Sequence, residues 1–358
     1  MPQSFASASG NFALPGANNT YIKSHDATGK LIIGFSRNPK DFPLNRYIQI
    51  KEVKKSTGFY LEVTAEEAGR LAGSNLSEFV WPDGADRPRR NAGLEQHRFR
   101  DYHTERFDFD FTLGYKAMEQ ADWDVRTMGE STKAQQAMTA RTFGVHSVLS
   151  NENNWDAAHV ASVDAIGENQ GSWELSTTQR GDIKRSINYG RNVIRTATLS
   201  KIKQKKDMVL VMNPVTAQRI GESQELRDYI KGSEDAFKEV VQEEGRYSEY
   251  GLPNKLYGVD VEIEDTVMVT SARGAATVVR ADVMADGIVY MLSRPGGIVA
   301  PAYGGPSFST CTLLVYEEMT VETLDDKNNR RTDGHIVDDY SPVLTAPASG
   351  FKFNAVIE

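Results

Sequence analysis

The stretch DMVLVMNPVTAQRI, residues 207–220, places a strand, a cap and a helix next to one another. The five apolar residues 208–212 have the length of a strand that is buried on both faces of a sheet. Asn213 is a favoured N-cap residue, and the fixed backbone angle of Pro214 suits the first helical position. The stretch therefore predicts a buried strand that leads without a loop into a helix at 215–220.

Many nucleotide-binding enzymes share this order of elements, but their phosphate loops need glycine so that the backbone can approach the phosphates. The junction at 213–216 reads Asn-Pro-Val-Thr and contains no glycine. Pro214 also lacks the N–H that would donate to a phosphate. We therefore interpret the strand and its cap as a packing device.

Composition limits the classes of protein to which the chain can belong. Its 358 residues allow two domains, or one domain with long excursions. It has 41 Lys and Arg against 49 Asp and Glu, a formal net charge of -8, so bulk charge does not favour nucleic-acid binding. The lone Cys311 lies in an alternating strand pattern and is expected to be a small buried hydrophobe. We find no signal-peptide pattern and no apolar run of membrane-spanning length.

Residues 1–45 are predicted to form an N-terminal arm, because the first part of this segment is rich in Ser, Ala, Asn and Gly and cannot build its own core. Residues 46–106 are predicted to form an extended two-stranded β-ribbon. Its first part would be a hairpin with Ile48 and Ile50 on one face and a turn at 54–58. Because an isolated ribbon of this length is not stable in water, it needs a neighbour.

The second strand of the ribbon is predicted from HRFRDYHTERFDFDFTL, residues 97–113, which would run as one long strand. Its side chains alternate between apolar and charged, so one face of the strand should be aromatic and the other acidic. The aromatic face would carry Phe107, Phe109 and Phe111, and the acidic face Asp108 and Asp110.

The segment between the two strands, FVWPDGADRPRRNAGLEQ at 79–96, is dense in Pro, Gly and charge and is predicted to be an exposed tip. Its side chains could pair with another subunit, although a solvated loop explains any single residue equally well. The candidate inter-subunit contact residues are Trp81, Asp83, Asp86, Arg87, Arg89 and Arg90.

The pattern becomes helical at 112–149, with a thin apolar stripe. Glycines at 114, 129 and 144 weaken this helix, which is therefore expected to bend. So narrow a stripe suits a helix that crosses a flat domain as a spine better than one that packs in a bundle. The predicted stripe consists of Ala117, Ala121, Val125, Met128 and Thr132.

A second helix is predicted from Asp182 to Gln204. Its end is rich in lysine, KIKQKK at 201–206, which suits the negative end of a helix dipole. We interpret these lysines as a solvated helix end in preference to a DNA-binding patch. The apolar stripe of this helix consists of Ile183, Ile187, Gly190, Ile194 and Ala197.

Shorter elements follow without a repeat and without regular β-α alternation, which predicts a mixed α+β fold. The predicted helices are 224–231 and 234–244, and the predicted strands are 257–263, 267–270, 277–283, 288–292 and 311–324.

The sequence assigns no residue a catalytic, cofactor-binding or metal-binding role. The six histidines are scattered, and His97 and His103, which share a strand face, lack the further ligands of a zinc site. The glycine-rich loop at 296–308 lacks the Lys and Ser/Thr of a phosphate loop and is interpreted as an inter-subunit loop. Adjacent carboxylates point apart on a strand, so we interpret the pairs at 317–318 and 338–339 as solvated surface.

The order of arm, charged ribbon ending in YHTERFDFDFTL, spine helix, VLVMNPVTAQRI and LYGVDVEIED resembles that of the major capsid proteins of tailed bacteriophages, which share the Hong Kong-type capsid fold. In that family, a strand with a polar-Pro cap feeds a helix of the axial domain, and a Gly-Val-x-Val strand follows. Val209–Pro214 and Gly258–Val261 match this pattern.

The resemblance implies an extended loop at 46–106 that lies over a neighbouring subunit, and a peripheral domain at 107–181 that contains the spine helix. It further implies an axial domain at 182–308 and a return to the peripheral domain at 309–358. Hexamers and pentamers would tile an icosahedral shell around packaged double-stranded DNA, with no catalysis, no cofactor and no membrane. The virion capsid would be assembled in the host cytoplasm, with portal, scaffolding and decoration proteins as further partners.

Some members of this family join a Lys of the extended loop to an Asn of a neighbour, assisted by a buried Glu. The candidates here are Lys54 or Lys55 and Asn328 or Asn329, but nothing in the sequence fixes their geometry, so we do not predict this cross-link.

Two alternatives stay open at the level of sequence. A bacterial nanocompartment of the encapsulin type would have the same fold and would enclose cargo enzyme in place of a genome. A protein of another class, a soluble mixed α/β enzyme, would have a site that the motifs above do not reveal.

Overall fold

The computed structural model of the chain describes residues 11–13, 20–22, 39–62, 83, 98–121, 123–200, 202, 207–232, 250–294 and 309–358. Most of the predicted arm and of the ribbon tip lies outside these residues. The helix predicted at 234–244 and the glycine-rich loop at 296–308 lie outside them as well.

The described elements alternate irregularly along the chain, as a mixed α+β fold requires. The strands are β1 Asn11–Ala13, β2 Thr20–Ile22, β3 Gln49–Glu52, β4 Thr57–Glu62, β5 Arg98–His103, β6 Glu105–Gly114, β7 Val160–Ser162, β8 Met208–Met212, β9 Lys255–Leu256, β10 Val259–Ile263, β11 Val267–Val269, β12 Arg280–Asp282, β13 Val289–Ser293, β14 Thr312–Asp326, β15 Arg331–Val343 and β16 Phe351–Asn354. The α-helices are α1 Leu44–Tyr47, α2 Tyr115–Gln120, α3 Val125–Ser150, α4 Asp182–Ala197, α5 Pro214–Gly221 and α6 Gln224–Gly232.

Strand β8, which precedes the Asn213 cap, lies in the middle of a six-stranded sheet with the order β7-β16-β13-β8-β10-β9. It pairs in parallel with β10 and antiparallel with β13. Because successive side chains of a strand point to opposite faces, Leu210 packs with Ile183 and Ile187 of α4, while Val209 and Val211 join a second core on the other face. The prediction of a strand that is buried on both faces is confirmed.

The second large sheet has four strands in the order β3-β14-β15-β6. The long strands β14 and β15 form a hairpin that pairs from Thr312 with Val343 to Asp326 with Arg331. Helix α3 packs across one face of this sheet and reaches the six-stranded sheet at its C-terminal end, where Val145 and Leu149 are fully buried. The spine helix therefore ties the two sheets together.

The hairpin predicted near Ile50 is wrong. Strand β3 pairs in parallel with β14, and the N–H of Val53 donates to the carbonyl of Val315 at 2.8 Å. As a result Ile48 is buried but Ile50 is exposed. The long neighbouring strand β14 offers more backbone partners than a local turn would.

A two-stranded ribbon does form, between β4 and β5, with pairing from Thr57–His103 to Glu62–Arg98. The strand predicted at 97–113 is divided at the buried Thr104, so that β5 belongs to the ribbon and β6 to the four-stranded sheet. The alternation along β6 is confirmed, since its Phe residues are half-buried while Asp108 and Asp110 are exposed.

The spine helix starts later than predicted. Strand β6 continues to Gly114, and α3 begins after Asp124, whose carboxylate accepts hydrogen bonds from the N–H groups of Arg126 and Thr127 at 3.1 Å each. The predicted stripe is wrong at Met128 and Thr132, which are exposed, whereas Ala117 is buried and Val125 packs against it. The buried face lies nearer the C-terminal end and consists of Ala137, Met138, Arg141, Thr142, Val145, His146 and Leu149.

Helix α4 confirms its predicted stripe except at one end. Ile183, Ile187, Gly190 and Ile194 are buried, but the helix ends at Ala197, which is exposed. Leu199 and Ser200 follow in the left-handed region, which ends the helix before the lysine-rich segment.

Candidate assembly surface

One face of the four-stranded sheet, the face opposite α3, is left open by the described residues. Its register places His335 of β15 directly between Asp110 of β6 and Glu322 of β14. Asp108, two residues before Asp110 on the same face of β6, has its carboxylate 2.9 Å from His335 Nδ1. Asp108, Glu322 and His335 line a shallow groove of about 600 Å³ together with Thr323, Leu324 and Val337. The open sheet face therefore carries three carboxylates beside the apolar side chains of Leu324 and Val337.

The outer edge of β14 is open beside this groove. Strand β3 pairs with β14 only from Thr312 to Val315, and no other described strand pairs with that edge over residues 316–326. Leu324 is 65% exposed on this part of the strand. An unpaired strand edge presents N–H and C=O groups that an extended segment of another chain can use.

The ribbon formed by β4 and β5 leaves apolar surface in solvent. Phe59 is 74% exposed. Beside it, the ring of Tyr102 covers Gly58, and the Tyr102 hydroxyl donates to the carbonyl of Lys55 at 3.3 Å. A two-stranded ribbon is marginal by itself, and the described residues leave most of the Phe59 ring uncovered.

Among the predicted contact residues of the ribbon tip, Asp83 is described and lies exposed in a turn. The other candidates, Trp81, Asp86, Arg87, Arg89 and Arg90, lie outside the described residues.

A buried ion pair holds the spine helix on the four-stranded sheet. Arg141 donates to both carboxylate oxygens of Asp338, from Nε and from Nη2, each at 2.6 Å. Burial raises the pKa of Asp338, and Arg141 opposes this only in part. The interpretation of the pair 338–339 as solvated surface is therefore wrong. Both carboxylates are buried on this inner strand, Asp338 on the face covered by α3 and Asp339 on the opposite face, where it lies 3.6 Å from Arg106 Nε.

A second buried polar network joins three distant segments. Tyr47 of α1 donates to Glu264 Oε2 at 2.5 Å, and its oxygen lies 2.9 Å from Nε2 of His146 in α3. Since the Tyr47 proton is used by Glu264, His146 must donate from Nε2, which leaves Nδ1 as an unpaired acceptor among the described residues. Burial lowers the pKa of His146 to about 4 and raises that of Glu264.

Glu225 of α6 caps another helix from a distance. Its carboxylate accepts hydrogen bonds from the N–H groups of Ile183 and Lys184 at 3.1 and 3.2 Å, and from Tyr257 Oη at 2.6 Å. Ser176 also donates to it. The network fixes the N-terminus of α4 beside α6, and no local sequence signal identifies a cap that is 42 residues away.

These buried networks are enclosed and suit a structural role. Across the described ranges, no group of three or more His, Cys, Asp or Glu side chains is arranged to hold a metal ion. Cys311 is buried, as predicted, and burial raises the pKa of its thiol to about 12. None of the helices in the described part of the chain combines the length and apolarity needed to cross a bilayer.

Neither a protein-family model nor a curated protein matches the sequence. Solved structures do match. A phage-related protein from Bordetella bronchiseptica RB50 has a TM-score of 0.55 at 13% identity, over 87% of this chain and 90% of that one. The mature capsid of bacteriophage PhiM1 has a TM-score of 0.54 at 12% identity, over 91% and 90%. An encapsulin complex from Synechococcus elongatus PCC 7942 has a TM-score of 0.51 at 10% identity, over 92% and 94%.

The chain has the Hong Kong-type capsid fold. The resemblance found in the sequence is thus confirmed for the fold, from the capped strand β8 to the spine helix α3. At these low identities the likeness extends to the backbone and not to individual contact residues. Within this fold, Asp338 holds the spine helix on the four-stranded sheet, and Glu225 holds the N-terminus of α4 beside α6.

Proposed function

We propose that this protein is the major capsid protein of a tailed bacteriophage, a shell subunit that acts by self-assembly and catalyses no reaction. The observation that carries the proposal is the likeness to phage capsids over about nine tenths of the chain. Hexamers and pentamers of the subunit would form an icosahedral shell around packaged double-stranded DNA. The net charge of -8 supports this role, because an acidic wall does not hold DNA back during packing and ejection.

The proposed domains follow the same fold. Residues 1–45 would be the arm, 46–106 the extended loop, 107–181 with 309–358 the peripheral domain, and 182–308 the main part of the axial domain. The six-stranded sheet also takes in β7 and β16 from the flanking segments, so the two domains would share a continuous core.

The proposed contact between subunits places the ribbon tip of one copy on the open sheet face of the next. The tip carries Arg87, Arg89 and Arg90, and the open face carries Asp108, Asp110 and Glu322. This charge complementarity would direct the approach and the register of the two copies. Portal, scaffolding and decoration proteins would be further partners, and assembly would take place in the host cytoplasm before the subunit resides in the virion capsid.

Electron microscopy of the purified protein tests the proposal, with the deletion of Pro82–Leu94 as the matched variant. We expect shells from the intact chain, and a folded subunit without shells from the deletion. Intact shells from the deletion variant would exclude the ribbon tip as a necessary contact. Uniform monomers or dimers of the intact chain under all conditions would favour an enzyme instead.

A nanocompartment shell is the second candidate, since the encapsulin complex matches this chain over nearly all of its length. The contents of the particles separate the two candidates. DNA that is protected from nuclease inside the particles supports the phage capsid, whereas a co-purified cargo enzyme without DNA supports the nanocompartment.

A further inference from the structure

The exposed face of α4 is a basic surface on an acidic protein. Nine of the 41 Lys and Arg residues of the chain lie between positions 180 and 206. Lys184, Arg191 and Arg195 are spaced by seven and four residues, so they share one side of the helix and span about 16 Å at 1.5 Å per residue. The one carboxylate of the helix, Asp182, is fully buried.

The remaining groups near the start of α4 already have partners. Asp182 lies 2.6 Å from Arg180 and 3.6 Å from Arg185, and the N–H groups of Ile183 and Lys184 donate to Glu225. The helix N-terminus is therefore not free to bind an anion. In contrast, Lys184, Arg191 and Arg195 make no ion pair with any described residue, and we call these three side chains the basic face of α4.

A surface of opposite charge lies at the end of strands β8 and β10. Asp286 is exposed and accepts a hydrogen bond from Asn213, and Asp282 is partly exposed beside it. Burial raises the pKa of Asp282, and repulsion by Asp286 and Asp265 adds to the effect. Neither Asp282 nor Asp286 makes an ion pair within the described ranges. We call these two side chains the acidic edge.

One copy cannot bring its two surfaces together. Helix α4 is held flat on the six-stranded sheet, where Gly190 lies against the rings of Phe351 and Phe353. The acidic edge is fixed to the same sheet at the strand ends, through Asn213. Within one subunit the described residues thus leave both surfaces uncompensated, whereas a head-to-tail contact between identical copies pairs each with the other.

We propose that the basic face of α4 binds the acidic edge of a second copy. The inference rests on the proposed function, since it requires that copies assemble side by side. Exposed charges of this kind contribute more to the rate and specificity of association than to affinity, and their effect decreases with salt. The contact should therefore be seen most clearly in assembly kinetics at low ionic strength.

Charge reversal and restoration test the contact. Lys184→Glu with Arg191→Glu and Arg195→Glu reverses the basic face, and Asp282→Lys with Asp286→Lys reverses the acidic edge. We expect each reversed chain to assemble about ten times more slowly than wild type at low salt, by light scattering. A chain with both reversals should recover most of the rate, because opposite charges face one another again. Lys116→Glu with Lys327→Glu, two exposed cations elsewhere, is the matched control and should assemble like wild type.

A cysteine variant tests the proximity of the two surfaces directly, without reversing a charge. Because Cys311 is buried, Lys184→Cys with Asp286→Cys offers two accessible thiols, which a mild oxidant should link between copies but not within one. Circular dichroism checks that each variant is folded.

If the wild-type chain forms shells but an oxidant does not link copies of the cysteine variant, the inference is overturned and the proposed function stands. The same conclusion follows if the chain with both reversals does not recover the assembly rate. Binding of short duplex DNA that the basic-face variant loses, with assembly unchanged, would also overturn it and assign the basic face to nucleic acid. Failure of the wild-type chain to form particles would remove the proposed function as well.

Discussion

Arg141 of the spine helix and Asp338 of β15 form a two-pronged ion pair at 2.6 Å, with both side chains at most 3% exposed. The guanidinium carbon of Arg141 also lies 5.7 Å from the centre of the Tyr340 ring. Burial of two charges is costly, and their mutual attraction repays this cost only while both partners are present. The pair therefore fixes the position of the spine helix on the sheet more than it increases the free energy of unfolding.

Arg141→Met should reduce the free energy of unfolding by about 3–5 kcal/mol, because it leaves the Asp338 carboxylate buried without its partner. The double variant Arg141→Met with Asp338→Leu should be far more stable than the single one. Chemical denaturation measures both. Arg126→Ala, which breaks an exposed pair with Glu130 and an exposed hydrogen bond to Thr323, is the control and should cost at most about 1 kcal/mol. A double variant as unstable as the single one would contradict the argument.

His146 should make the protein less stable as the pH falls. Its folded pKa is about 4, below the roughly 6.5 of an unfolded histidine, so the unfolded chain binds the proton first. The stabilising effect of the neutral ring is complete above pH 6.5 and decreases as the pH falls through that value towards 4. Glu264, whose pKa is raised, acts in the opposite direction, while Tyr47 and Tyr290, which also face the ring, stay neutral in this range.

His146→Gln should remove the histidine part of this profile. Between pH 6.5 and pH 5 the wild type should lose roughly 2 kcal/mol more than the variant, at about 1.4 kcal/mol per pH unit. Denaturation curves across this range measure the difference. Parallel profiles for the two proteins would show that folding does not shift the pKa of His146.

Asn213→Ala should cost about 1–2 kcal/mol, because Asn213 Oδ1 accepts from the N–H of Thr216 at 2.8 Å and caps α5. The amide also reaches the carbonyl of Met284 at 3.4 Å. Asn213→Ser keeps a cap oxygen and should cost less. Asn192→Ala, on the exposed side of α4, is the control and should change thermal stability little. Equal losses for the Ala and Ser variants would assign the effect to the contacts of the amide with Met284 and Asp286.

Elements that are determined by neighbouring residues in the chain could be predicted from the sequence. The capped strand at Met208–Asn213 and the stripe of α4 follow directly from burial, capping and the 3.6-residue period. The first residue of the spine helix was harder to predict, because β6 leads into α2 and α2 into α3 without a clear break in the sequence pattern. Only Asp124 marks the N-cap of α3.

Elements that depend on distant partners could not be predicted locally. Strand β15 is polar along much of its length, and it becomes an inner strand because β14 and β6 pair on its two sides. The burial of Asp338 follows from Arg141, 197 residues earlier in the chain, and the burial of Glu225 follows from the helix that it caps. The open sheet face is likewise a product of pairing between three separate segments.

Reversal of charge on the open sheet face should prevent shell formation while the subunit stays folded. Asp110→Lys with Glu322→Lys places cations on both sides of His335, where the proposed ribbon tip would bring its arginines. Like charges across an interface repel, so particle yield in electron microscopy should fall at least about tenfold at low salt. Arg87→Glu with Arg89→Glu and Arg90→Glu in the same chain should restore much of the yield. Glu119→Lys, an exposed change on α2, is the control for added charge. A wild-type yield from the double-lysine variant would place the tip elsewhere on the neighbour.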